Sequence, residues 1–189
     1  LGLITGCNDL NETDDLASGL ALKKGHVEPV TVTVPFKADL VGEYQAFYFP
    51  QDEDEFNCED GFGCRVIVKA EGNATHMGKV TAHFDFCACG ETDNPNNEKY
   101  GPAEVCLTAA NGDQLFFAVE GIIQYGKLDY HPEDVFSYWK DRYFIIGGTG
   151  KFEGATGTIT TDDYNRQSYY MEKSFHHWTG TITMKKGKR

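Results

Sequence analysis

His83 and Asp85 stand two residues apart in Thr81-Ala82-His83-Phe84-Asp85. On a β-strand that spacing puts both side chains on one face. An imidazole beside a carboxylate is the simplest acid–base pair. The flanking residues favour a plainer reading: Val80, Ala82, Phe84 and Phe86 alternate with the pair, so His83 and Asp85 fall on the solvent face of a half-buried strand. His176 is a different case. It shares strand parity with Trp178 on an apolar face, where it either orients a ligand or lines the interior with its ring satisfied. Glu120, after Phe116-Phe117-Ala118-Val119, is expected to point into water. The sequence contains no Gly-x-Ser-x-Gly elbow and no His-Glu-x-x-His pair.

Carboxylates crowd Asp52-Glu53-Asp54-Glu55 and Glu59-Asp60-Gly61. Oxygen-rich clusters suit calcium, but the EF-hand ligand spacing is absent. A solvated acidic loop is the expectation, with no metal and no cofactor. Of the six cysteines, Cys58 and Cys64 flank that loop and are candidates for a short disulfide. Cys87 and Cys89 share a strand face, and Cys106 could bridge to either. These three thiols lack the four-ligand spacing of a zinc site.

The elements that must position these groups are strands. The 189 residues include 13 Phe, 10 Tyr and 21 Gly, and helix-forming runs are scarce. Strands are predicted over 30–36, 43–49, 65–70, 76–88, 103–109, 114–124, 141–146, 155–162 and 168–184. Asn111-Gly112 predicts a tight two-residue hairpin turn of the type that needs two positive φ angles. The stretches 50–63, 90–101 and 126–140 read as long polar loops, the kind that carries function on a closed scaffold. One apolar and one polar face along nearly every strand fits an antiparallel sheet closed around a filled interior, and a β-sandwich would alternate similarly. Phe84, Phe86, Phe117, His176 and Trp178 are the candidate lining residues. The net charge of −12 argues against a nucleic-acid partner.

Gly147-Gly148-Thr149-Gly150-Lys151-Phe152-Glu153-Gly154-Ala155-Thr156-Gly157 packs five glycines into eleven residues. A phosphate-binding loop needs Ser or Thr after the Lys and a helix behind it. Here Phe152 follows and the sequence alternates like a strand, so the run reads as a corner between strands. It is similar to the signature of the allene oxide cyclase and dirigent barrel superfamily and its secreted bacterial relatives. Gly72-Asn73-Ala74-Thr75-His76-Met77-Gly78-Lys79-Val80-Thr81, Ala109-Ala110-Asn111-Gly112-Asp113-Gln114-Leu115 and Trp178-Thr179-Gly180-Thr181-Ile182 resemble further segments of it. The resemblance spans about residues 30 to 184. It implies a single all-β, antiparallel, closed barrel of about eight strands with decorated loops. Plant members cyclise an oxylipin or steer radical coupling, mainly through cavity shape, and none of their functional residues maps onto this sequence.

At the front, Ile4-Thr5-Gly6-Cys7 matches a bacterial lipobox, with Cys7 the lipidated residue. The acidic run after it resembles the export signals of surface lipoproteins in Bacteroidetes. The expected organisation is 1–6 as the end of a signal peptide, 7–27 as an acidic tether, 28–184 as the barrel and 185–189 as a basic tail. The expected protein is a lipid-anchored bacterial envelope barrel, exposed at the outer-membrane surface, that binds a small apolar or lipid-like ligand or a surface partner without catalysis. Two alternatives stand: an isomerase or cyclase acting on a lipid-like substrate in the barrel, and a solid barrel serving only as an envelope interaction module.

Overall fold

The computed structural model describes residues 30–49, 58, 63–91 and 94–186. Cys7, the tether and most of the acidic loop lie outside the described residues. Ten strands run in chain order: β1 (Thr31–Tyr48), β2 (Gly63–Ala74), β3 (Gly78–Glu91), β4 (Asn94–Ala109), β5 (Gln114–Tyr125), β6 (Val135–Trp139), β7 (Arg142–Gly148), β8 (Thr156–Thr161), β9 (Asp163–Arg166) and β10 (Lys173–Lys185). All pairings are antiparallel, and β1 pairs with β10, so the sheet closes. Closure leaves the eight-stranded ring no free edge.

The wall between β5 and β10 is built in two storeys. In the lower one, β5 pairs with β7 through Leu115–Ala118 and β10 with β8 through Trp178–Thr183. In the upper one, β6 pairs with β5 at Gln124 and Tyr125, and β9 pairs with β10 at Ser174 and Phe175. The strands β6 and β7 are consecutive, as are β8 and β9, and each pair breaks at the same level. Asp141 sits at the first break, and Asp163 opens β9 just past the second. The Asp141 backbone N–H donates to Thr161 Oγ1 (2.9 Å), and the Thr161 N–H to the Asp141 carbonyl (2.9 Å), tying the seam.

The predicted strands 30–36 and 43–49 are one strand, because Ala38, Leu40 and Gly42 continue the inward alternation between them. Pro35 is tolerated in it because β1 has β10 as its sole neighbour there; β2 begins to pair only at Ala38. The polar stretch 90–101 contains the start of β4, and 126–140 contains β6. The turn at Asn111-Gly112 differs from expectation. The Ala109 N–H donates to the Asp113 carbonyl and the Gly112 N–H to the Ala109 carbonyl. Gly112 alone has a positive φ (88°), so the loop is the three-residue kind, Ala110 to Gly112.

The glycine run is a corner, as its composition implies. A single 3₁₀ turn, Gly150–Phe152, drops the fully buried Phe152 into the barrel floor, and Lys151 donates to the His76 carbonyl of the neighbouring turn. Above it Phe36, Leu107, Leu115, Phe117, Ile159, Trp178 and Ile182 are each at most 1% exposed. The Trp178 ring sits edge-on to Phe117 (5.3 Å) and Tyr143 (5.5 Å). The lower storey is a solid plug, packed like any protein interior.

Cys58 bonds to Cys89, not to Cys64. Register gives the reason. Gly63 faces Cys89 and Cys64 faces Ala88. A Cβ on Gly63 would lie 2.3 Å from Cys58 Sγ, so the disulfide crosses where glycine leaves room. The Cys64 side chain, one residue along, projects to the opposite face, and Cys64 and Cys87 remain thiols.

Candidate functional site

β10 presents Ser174, His176 and Trp178 inward in succession, all buried. Asp163, fully buried at the storey break, accepts three hydrogen bonds: from the His177 backbone N–H (2.9 Å), from Trp178 Nε1–H (3.0 Å) and at His176 Nδ1 (2.8 Å). The first two partners can only donate, and an ionised Asp163 accepts from His176 as well, which puts a hydrogen on Nδ1. That leaves the Nε2 lone pair facing Ser174 Oγ at 2.9 Å. The backbone opposite makes room for the contact. Gly42 pairs with Ser174, and a Cβ there would lie 2.3 Å from Ser174 Oγ and 3.1 Å from His176 Nε2. Phe84 stacks on the His176 ring (5.0 Å, 10°), and Trp139 meets it edge-on (5.8 Å).

Two further polar groups flank this chain. Tyr44 donates to Asn165 Oδ1 (2.9 Å) and lies within hydrogen-bond reach of Ser174, and Asn165 Nδ2 donates to Ser137 Oγ (3.0 Å). Burial raises the Tyr44 phenol well above its ordinary range, so it stays protonated. On the opposite wall the Tyr100 hydroxyl donates to Asp141 (2.7 Å) and meets the Tyr143 hydroxyl (2.8 Å). Burial pushes the Asp141 carboxyl up, and pushes both phenols up as well. Among the described residues no buried side-chain nitrogen or oxygen lacks a partner.

Of these groups Tyr44, Tyr100, Tyr143, Ser174 and His176 line a cavity of about 40 Å³, with Phe84, Phe86 and Trp139 among its other walls. That volume holds a few waters or the tip of a ligand. Above it the barrel opens into a mouth of about 220 Å³, which shares Tyr44, Phe86 and Ile123 with the cavity. Phe49, Tyr125 and Tyr170 on its walls are each about half exposed. Cys64 also lines the mouth, its thiol pushed up to about 11 by burial.

Of the candidate lining residues, Phe84, Phe86 and His176 face this cavity. Phe117 and Trp178 do not; both fill the plug below it. Inward parity is shared along a whole strand, but depth in the barrel is not. His83 and Asp85 form no dyad, because Arg65 grips the Asp85 carboxylate at 2.6 and 2.5 Å and holds it below its ordinary range. Glu120 is exposed. Ser174, Asp163, Tyr44 and Asn165 escaped the sequence reading. Ser174 shares parity with His176 and was within reach of it; Asp163 required the β9–β10 pairing.

No family model matches the sequence, and a search of curated proteins gives no significant match. Solved structures do match. The pterocarpan synthase dirigent protein GePTS1 aligns over 89% of this chain and 100% of its own, with a TM-score of 0.56 and 10% identity. The pterocarpan synthase dirigent protein PsPTS1 aligns over 84% and 97%, with a TM-score of 0.47 and 10% identity. The fold is that of the dirigent and allene oxide cyclase-like barrels.

Proposed function

We propose that this barrel binds a small, mostly apolar molecule through its upper mouth and meets that molecule's oxygen function at the Ser174–His176 floor. One observation supports the reading above others: an aromatic-walled opening narrows onto a few convergent polar groups, the usual composition of a ligand site. The plug restricts the ligand to the upper storey, so it must be short or leave a tail at the rim. A flat phenol or a short fatty acid fits these limits. The lipid anchor at Cys7 belongs to the same proposal, supported by Ile4-Thr5-Gly6-Cys7; it would hold the barrel at the bacterial envelope, where lipid-like molecules are at hand.

Thermal melts with a panel of phenols and short fatty acids test the binding. At least one member is expected to raise the melting temperature, and Phe86→Ala is expected to reduce that rise. A flat response across the panel would leave the barrel as an interaction module. Mass spectrometry of the native membrane fraction tests the anchor, and a protein retaining residues 1–6 would refute it.

A further inference from the structure

We infer that Ser174 is an activated nucleophile and that the upper cavity carries out acyl transfer on small esters of apolar alcohols or phenols. The inference rests on the binding reading and adds chemistry to it. Its core is a chain of three contacts. Ser174 Oγ lies 2.9 Å from His176 Nε2, and His176 Nδ1 lies 2.8 Å from Asp163 Oδ2. Asp163 is itself fixed by Trp178 Nε1–H and the His177 N–H. A hydroxyl on a base, with the base held by a buried carboxylate, is the arrangement that activates serine, whatever the fold or chain order. The order here, Asp then Ser then His within fourteen residues, has no elbow motif to announce it.

Three features make the chain more than a satisfied core network. Ser174 and His176 both line a cavity that opens to solvent through the mouth. Gly42 leaves open the space a Cβ would take from Ser174 Oγ. Tyr44 places a protonated phenol beside Ser174; its hydrogen goes to Asn165 Oδ1, so it serves charge developing on a carbonyl oxygen by turning from that acceptor. A proton-shift reaction fits less well. With Nε2 engaged by the serine hydroxyl, Oγ is the atom left poised to attack.

The step is redox-neutral and balances with water. Ser174 Oγ bonds to the ester carbonyl carbon while its proton passes to His176 Nε2. The carbonyl C–O bond to the leaving group breaks, and that oxygen takes the proton from Nε2. Water entering through the mouth then loses a proton to Nε2, adds to the acyl carbon, and releases the acid as Ser174 recovers its proton.

The full chain would be incubated with a small alkyl fluorophosphonate and digested for peptide mass mapping. Mapping on the native protein assigns the site without relying on a variant that folds. The expected result is one adduct, on Ser174, with the labelling rate falling by about 10³-fold in His176→Ala. Ser174→Ala should abolish labelling. No adduct on Ser174, with the ligand-induced melting shift intact, overturns the nucleophile and leaves the binding reading standing. No adduct and no shift overturns both. An adduct on Ser174 whose rate is indifferent to a folded His176→Ala variant also overturns the inference, because the base would then have no part in it.

Discussion

The two storeys of the barrel use the same inward alternation for opposite ends. In the lower storey Phe36, Phe117, Phe152 and Trp178 close the interior completely. In the upper storey inward positions are taken by Gly42, Tyr44, Ser174 and His176, and a cavity and mouth remain. The lower wall comes from the regular strands β7 and β8. The upper wall comes from the short strands β6 and β9, reached across the breaks at Asp141 and Asp163. The contrast shows how a closed barrel can hold a site without losing its core. Stability is concentrated below the break, and polar groups collect where the strands part and need new partners.

The comparison predicts unequal mutant effects. Trp178→Ala removes the centre of the plug and the indole bond to Asp163, and should destabilise the fold by about 3–5 kcal/mol in urea titrations. A loss under about 1 kcal/mol would mean that the lower storey is not the stabilising one. Breaking Cys58–Cys89, as the double alanine variant, reopens a loop with a sequence separation of 31. Loop-closure entropy then puts the cost at about 3–4 kcal/mol, read from the same titrations. A variant as stable as the parent would show that the strap adds nothing to the upper storey.

Smaller effects belong to the mouth. Phe86 is half-buried between cavity and mouth, so Phe86→Ala should cost stability less than Trp178→Ala does. It should weaken an apolar ligand by roughly 1–3 kcal/mol, measured by calorimetry. The reverse ranking would exchange the roles of the two storeys. Acid should loosen the upper storey locally. Ser168 and Arg166 hold the Asp134 carboxyl down at about 2, and Asp134 anchors the 3₁₀ turn Gln167–Tyr169. A carboxyl depressed in the folded state stabilises above its unfolded pKa, near 4, and loses that contribution as pH falls toward 2. Protection from hydrogen exchange at 166–170, taken against the intrinsic rate at each pH, should therefore fall over that window, with the protection of 178–182 unchanged. Asp141, raised by burial, has the opposite sign and adds nothing to the acid loss.

Much of the fold was legible because alternation is local: Val80 to Phe86 and Ser174 to Trp178 show their faces without a partner. The storeys were not. The stretch 126–140 reads as a polar loop because β6 is five residues long and draws its hydrogen bonds from β5 and β9. The cysteine pairing failed for the same reason, since Cys58 and Cys89 meet only through the β2–β3 register. In the site, His176 stood out beside Trp178. Its meaning depended on Asp163, which looks in sequence like one more carboxylate of Thr161-Asp162-Asp163. Its neighbour Asp162 faces outward to Tyr130 and His131 instead.

The chain's two tryptophans fall one to each region: Trp139 on the cavity wall and Trp178 in the plug. Single-tryptophan variants can therefore locate a ligand. A brominated probe, o-bromophenol, with its bromine beside the hydroxyl that meets the floor, quenches only an indole that it touches. In Trp178→Phe, which retains Trp139, fluorescence should fall as the probe saturates the mouth. In Trp139→Phe, which retains Trp178, it should stay constant. Saturable quenching of Trp178 with Trp139 unaffected would contradict the account, because it would place the ligand inside a storey that should have no room for it.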